Sequence, residues 1–143
     1  GVCDFANGCC MLLADKIIDK LGYLDERFFL YYEDTEYSFR AGKKGIPVRY
    51  CAQARVYHKV NGSTKGNEKP DNAYYITRNW LLCNKMHMES WRFALFGIYF
   101  FLNRLAWAAI WLMQGKKDMV GGIGAGIRDF RHGRFGKAGW DKM

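Results

Sequence analysis

At 143 residues, half of them hydrophobic, the chain has the length of one ordinary domain with an appendage, and its apolar content suits a packed core rather than disorder. The formal charge of +8 is uneven: residues 1–90 hold 13 Lys and Arg against 11 acids, and residues 91–143 hold 9 against 3. A tail with that excess attracts polyanions, either nucleic acid or an anionic lipid surface, where it is not simply a solvated face.

Five cysteines (Cys3, Cys9, Cys10, Cys51 and Cys83) form an odd set without Cys-x-x-Cys spacing. Such a set favours neither a disulfide framework nor a zinc site and fits small buried residues in a reducing compartment. No leader of basic, apolar and small residues opens the chain, so secretion is not indicated. The missing initial Met and a motif already at residue 7 point to a piece of a longer protein.

Residues 8–14 (Gly-Cys-Cys-Met-Leu-Leu-Ala) are an apolar run of the length of a buried strand, which periodicity does not separate from a buried helical turn. Asp15 is expected to cap a helix over 16–21 that stops at Gly22, and a turn then leads into the aromatic run Phe28 to Tyr32, read as a strand. From 35 to 44 the pattern is helical, with a Glu36/Arg40 pair at i,i+4 and Gly42 and Gly45 as stop signals. Residues 47–50 and 54–58 read as short strands, and this alternation of strand and helix predicts an α/β fold. The polar, Gly-containing stretch 59–71 is expected to be a mobile loop of the length lids have. Helices are predicted over 72–88 and 91–113, with a domain boundary near residue 90.

A helix over 91–113 would be ~34 Å long, close to the ~30 Å of a bilayer core. Asn103 and Arg104 stand just past its middle, and a mid-membrane Arg costs ~3 kcal/mol on insertion scales. On a helical wheel Arg92, Tyr99, Asn103 and Gln114 fall within a stripe of about 60°, with aromatic and aliphatic residues around the remainder. With Lys116, Lys117, Arg128, Arg131, Arg134 and Lys137 following, the tail reads as a monotopic anchor to an anionic membrane surface, ahead of a span or plain packing. Its apolar residues are too continuous for a base-stacking platform, which argues against nucleic acid as a partner. The run Gly121-Gly122-Ile-Gly124-Ala-Gly126 has no strand before it and no acidic residue at the distance a dinucleotide site needs. Close helix packing or a flexible joint is its expected use.

Glu33-Asp34 closes the aromatic run and opens the next helix, at the kind of strand edge where α/β proteins place ligands. Standing alone, such an Asp is most often a helix cap. The order of motifs around it gives it more weight. Asn7-Gly8 is followed by Leu21-Gly22-Tyr-Leu-Asp25-Glu26-Arg-Phe28-Phe29, then Glu33-Asp34, Arg40, the turn Gly42-Lys-Lys-Gly45, and Val56-Tyr57-His58. This order closely resembles the second half of family-2 glycosyltransferases, particularly the rhamnosyltransferase-like and galactofuranosyltransferase-like members, over about residues 7–80.

The resemblance implies the C-terminal portion of a GT-A (nucleotide-diphospho-sugar transferase) fold over 1–90, followed by amphipathic and apolar helices over 91–143. It implies an inverting hexosyl- or rhamnosyltransferase that moves a sugar from a nucleotide-diphosphate donor to a lipid-linked or polysaccharide acceptor in cell-envelope glycan synthesis, at the cytoplasmic face of the cell membrane. Asp34 matches the family's catalytic base, which takes the acceptor hydroxyl's proton as the new bond forms; its place at a helix N-terminus suits an anion. Glu33 would orient the site. Asn7, Gly8 and Arg40 match acceptor-side positions, and Gly8 would let a sugar approach the backbone.

A divalent metal, Mn or Mg, neutralises the leaving diphosphate in this fold and is held mainly by an Asp-x-Asp motif. His58 matches a position that joins this ion in some members. Ser63 and Thr64 lie where related enzymes have a lid, and Arg78 is a candidate for a donor phosphate or an ordinary helix-surface charge. The chain has no Asp-x-Asp, so the nucleotide-binding half is expected to be elsewhere, and these residues alone are expected neither to bind sugar nucleotide nor to turn over. The rival reading is a non-catalytic membrane-associated helical or interaction module in which Asp34 is only a cap.

Overall fold

The computed structural model describes residues 1–58 and 69–139. In chain order these form β1 (Val2–Cys3), α1 (Asp15–Leu21), α2 (Glu33–Lys43), β2 (Val48–Arg49), α3 (Pro70–His87), α4 (Ser90–Met113) and α5 (Lys117–Arg131). β1 and β2 are antiparallel, with Val2 opposite Arg49 and Cys3 opposite Val48, and the Gly1 amine donates to the Tyr50 carbonyl at 2.9 Å.

Helices therefore dominate the described residues, and the expected α/β alternation reduces to this one short pair. Residues 8–14 and 54–58 form no strand. A strand needs a neighbour for its backbone donors and acceptors, and among the described residues these two segments have none. The aromatic run 28–32 is not a strand either. Phe29, Tyr31 and Tyr32 have φ of 59°, 65° and 72°, the left-handed region that bulky residues rarely occupy, so the segment coils into a turn that delivers the chain to α2. Asp15 is the first residue of α1 rather than its cap; the cap position is Ala14, without a side-chain bond. Gly22 ends that helix with φ 76°, as its freedom from a Cβ allows.

α3 is the central element. Its first turn starts on Pro70, where the missing N–H costs nothing. Ala73 packs with Trp111 of α4 and with Met119 and Ile123 of α5. Near its other end, Leu82 and Cys83 pack with Phe28 and with Tyr32, Met86, Phe130 and Phe135. The glycine run in α5 provides the closest seam. A Cβ on Gly122 would stand 2.5 Å from the Pro70 carbonyl oxygen, and one on Gly126 2.7 Å from that of Tyr74. The two glycines, four apart, let α5 lie directly on the α3 backbone, which bears out the close-packing alternative. This seam crosses the boundary expected near residue 90.

α4 packs through one side only. Phe96 and Phe100 meet the Trp80 ring at centroid distances of 5.3 and 5.4 Å, the Arg104 guanidinium lies 5.3 Å over the same ring, and its Nη1 is 3.5 Å from Thr77 Oγ1. Asn103 turns the same way and accepts from Arg104 Nη2 at 2.6 Å. Arg104, which stands outside the stripe of Arg92, Tyr99, Asn103 and Gln114, is thus turned into the helix bundle, because α3 offers it an aromatic face and a hydroxyl. What faces outward is apolar and exposed: Trp91, Leu95, Ile98, Leu102, Leu105 and Met113.

The seam makes a direct prediction. Gly126→Ala should lower stability by about 1–3 kcal/mol through overpacking, read as a reduced denaturation midpoint, whereas Gly124→Ala, with nothing within 4 Å of its Cβ position, should leave the midpoint the same or slightly higher.

Candidate active site

The first turn of α2 places Glu33 and Asp34 side by side in sequence on the end of the helix that favours anions. Asp34 Oδ2 accepts the Gly8 amide at 2.8 Å, and Oδ1 accepts the Thr35 amide at 2.6 Å and the Thr35 hydroxyl at 3.2 Å. Three of the roughly four acceptor positions of a carboxylate are then filled. The side chain is held in one orientation, half-buried, with capacity for one more donor.

Asn7 shapes the turn that brings Gly8 there, its Oδ1 accepting the Cys9 amide at 2.9 Å, a local bond typical of Asn in turns. The Ala6 amide donates to Ser38 Oγ of α2 at 3.2 Å. Asn7 and Gly8 are therefore brought to Asp34, and a Cβ on Gly8 would press on Asp34 Oδ2 at 3.3 Å.

Glu33 differs from its neighbour. Its Oε2 is buried without a hydrogen-bond partner among the described residues. Burial, with the adjacent Asp34 charge adding to it, holds the Glu33 carboxyl above the ordinary carboxylate range.

The remaining candidates stand elsewhere. Arg40 donates from Nε to Glu36 Oε2 at 2.8 Å and from Nη1 and Nη2 to the carbonyls of Leu21 and Tyr23. The expected Glu36/Arg40 pair is present, and it ties the end of α1 to α2. Glu36 is fully buried and its other oxygen is 3.3 Å from His87 Nε2. His58 is exposed on irregular backbone rather than closing a strand. Among the described residues no three His, Cys, Asp or Glu side chains stand together as a metal site, so the residues present do not by themselves fit a divalent ion. Ser63 and Thr64 lie outside the described residues.

Arg78 is neither a surface charge nor an open phosphate ligand. It is 1% exposed, with Nη2 donating to the carbonyls of Arg27 and Phe28 at 3.1 and 3.2 Å and Nη1 to that of Gly136 at 2.8 Å. Its neighbour Asn79, fully buried, shares its amide protons among the carbonyls of Phe28, Leu30 and Tyr31 at 2.7, 2.7 and 2.9 Å. The pair clamps the left-handed turn that ends at Glu33. Asn79 was not among the residues singled out from sequence. The signal for it was a polar Arg-Asn pair one turn after Tyr74-Tyr75, on a helix face otherwise apolar.

The chain is 31% identical over 81 residues to the low-salt glycan biosynthesis hexosyltransferase Agl10 of Haloferax volcanii, an overlap of 57% of this chain and 26% of that protein. Part of this chain is glycosyltransferase-like. It is 29% identical over 86 residues to an N-acetylglucosaminyl-diphospho-decaprenol L-rhamnosyltransferase of Mycobacterium tuberculosis, covering 60% of this chain and 28% of that protein. It is 30% identical over 79 residues to the O-antigen biosynthesis protein RfbC of Myxococcus xanthus, covering 52% of this chain and 6% of that protein. The chain spans about a quarter of the length of the first two relatives. No protein-family model matches it, and no solved structure does.

The clamp can be tested without any substrate. Asn79→Ala takes the donor from the Leu30 and Tyr31 carbonyls, while that of Phe28 keeps Arg78, and at about 1–3 kcal/mol per buried unsatisfied group the loss should be ~2 kcal/mol or more. Chemical denaturation of the protein measures it.

Proposed function

We propose that this chain is the acceptor-side part of an inverting glycosyltransferase of family 2 with a GT-A catalytic domain, acting in cell-envelope glycan synthesis. The observation that carries the reading is Asp34: an oriented, half-exposed carboxylate on the first turn of α2, in a chain similar over more than half its length to a hexosyltransferase.

In the proposed reaction an acceptor hydroxyl gives its proton to Asp34 as its oxygen bonds to the anomeric carbon of the donor sugar. The bond from that carbon to the nucleotide diphosphate breaks with its electron pair on the diphosphate, and the anomeric configuration inverts. Glu33, raised by burial, stands next to the base as a group that shapes the local field. The donor is a nucleotide-diphosphate sugar and the acceptor a lipid-linked or polysaccharide glycan; the mycobacterial relative's name gives a decaprenol-diphosphate-linked sugar as that protein's acceptor. The divalent ion of the proposed enzyme would be held by an Asp-x-Asp element outside these residues, with His58 as a further ligand.

The location proposed is the cytoplasmic face of the cell membrane. Support comes from α4, whose 24 residues are long and apolar enough to cross a bilayer, with its one mid-helix cation turned to Trp80. That arrangement removes the cost of an Arg facing hydrocarbon and leaves an apolar flank for lipid.

Two measurements on the full-length protein test these points. Asp34→Asn should lower kcat by ~10²–10⁴-fold while sugar-nucleotide binding and thermal unfolding stay near wild type; retained turnover would remove the base assignment and leave Asp34 a structural acceptor for the Gly8 and Thr35 amides. Leu102→Glu with Leu105→Glu should reduce partitioning into phosphatidylcholine vesicles by about tenfold or more. Unchanged partitioning would assign the exposed flank of α4 to a protein partner instead.

A further inference from the structure

We propose that the open pocket between α3, the last turn of α5 and the chain that follows it binds a phosphate or diphosphate group, at a site separate from Asp34. The cavity has a volume of about 260 Å³ and is lined by Tyr74, Arg78, Arg128, Asp129, Arg134 and Lys137 among others; neither Glu33 nor Asp34 lines it. Pockets that take drug-sized ligands measure about 300–1,000 Å³, so this one suits a group of a few heavy atoms rather than a whole nucleotide sugar.

The charge balance points to an anion. Four cations face one carboxylate. Arg78 is almost wholly buried, yet its five N–H groups go to neutral oxygens: the Asn79 side chain, the Tyr74 hydroxyl, and the carbonyls of Gly136, Arg27 and Phe28. A guanidinium buried without a counter-ion is costly. The nearest negative charge is one hydroxyl away, since Tyr74 donates to Asp129 Oδ2 at 2.9 Å. That carboxylate is shared further, with Arg128 Nε at 3.5 Å and Arg134 Nη1 at 3.9 Å from its other oxygen. One carboxylate thus serves three guanidinium groups. The partial negative charge of a helix C-terminus, about half an elementary charge, absorbs less than one of them.

The geometry supplies the donors. Arg128 and Arg134 side chains are 55% and 70% exposed, so their remaining N–H groups reach solvent at the mouth, and forked guanidinium donors match phosphate oxygens. The far wall is fixed, because Gly136 N–H donates to the Arg27 carbonyl at 2.8 Å and Ala138 N–H to the Tyr75 hydroxyl at 2.8 Å. Phe130 of α5 lies beside Phe93 of α4, ring centroids 6.4 Å apart. Phe93 belongs to the first turn of α4, which also carries Trp91 and Arg92, residue types that settle at headgroup level. The phosphate can come from a membrane lipid or from a soluble diphosphate; the lipid source rests on the membrane reading above, and the soluble source does not.

The test uses the full-length protein, its Arg128→Gln/Arg134→Gln/Lys137→Gln variant, and a Lys16→Gln/Lys20→Gln/Lys44→Gln control with the same change in net charge. Calorimetry with inorganic diphosphate reads the soluble source. Sedimentation with phosphatidylcholine vesicles, with and without phosphatidylglycerol, reads the lipid source. The cavity variant should lose about tenfold or more in affinity for diphosphate, for phosphatidylglycerol vesicles or for both, with the control within about twofold. Loss in the diphosphate arm alone assigns a soluble ligand, and loss in the phosphatidylglycerol arm alone assigns a lipid headgroup. Equal effects of variant and control in both arms, or no binding in either, would overturn the site. Absence of all vesicle binding beside intact diphosphate binding would sink the membrane reading and leave the site standing.

Discussion

Arg78 and Asn79, two polar side chains buried on one turn of α3, hold the segment on which the candidate site depends. The chain before α2 adopts positive φ at Phe29, Tyr31 and Tyr32, at a cost of ~1–3 kcal/mol for each such residue. A backbone bent this way aims its carbonyls inward with no strand to receive them, and a buried carbonyl must find a donor. Asn79 supplies an amide and Arg78 a fork, and together they collect the carbonyls of residues 27, 28, 30 and 31. An apolar residue in place of Asn79 would fill the space and leave the Leu30 and Tyr31 oxygens unpaired. The position of Asp34 follows from that bookkeeping: α2 starts where the clamped turn releases the chain, and the Gly8 amide then fixes the carboxylate.

A second polar residue decides which side of the molecule is apolar. Arg104 and Asn103 turn toward α3, and the helical period then sends Leu95, Ile98, Leu102 and Leu105 outward. Had Arg104 faced solvent, the same helix would present Trp111 and Phe100 to water, and the core shared with Met119 and Ile123 would be lost. The glycine seam is the complement of this choice: α5 comes close to α3 through Gly122 and Gly126, so α4 is the helix left with an open flank.

Much of the helical framework was legible in the sequence, and the irregular parts were not. The helices expected over 72–88 and 91–113 follow from long apolar periodicity and correspond to α3 and α4. Pairing of Glu36 with Arg40 follows from i,i+4 spacing, and the glycine run reads correctly as a packing surface. The strands failed because a short apolar run such as 8–14 carries no information about whether a partner strand exists. The aromatic run failed for a different reason. Its residue types favour strands, but Asn79 and Arg78, fifty positions away in the chain, impose a turn on it. Arg78 itself was misjudged because charged residues on helices are usually solvated, and the carbonyls that make its burial tolerable come from the turn and from Gly136, which local pattern does not connect. At the site, the acidic pair and Asn7-Gly8 were readable together through their order along the chain. For Arg40 only the tie to Glu36 was readable, because its other partners, the Leu21 and Tyr23 carbonyls, are backbone oxygens that sequence does not display.

The contact between Arg78 and the Gly136 carbonyl has a practical side. It joins the last described stretch of the chain to α3, 58 residues earlier in sequence, and the same guanidinium continues to the turn before α2. A fragment trimmed at residue 90 to remove the apolar helix would also strip α5 from the α3 backbone, bare Ala73 and Leu82, and deprive the guanidinium of an acceptor. Solubility sought by deletion would therefore be gained at the expense of the very loop that carries the carboxylates; exchanging outward leucines of α4 for polar residues keeps that loop intact and is the safer route to a tractable protein.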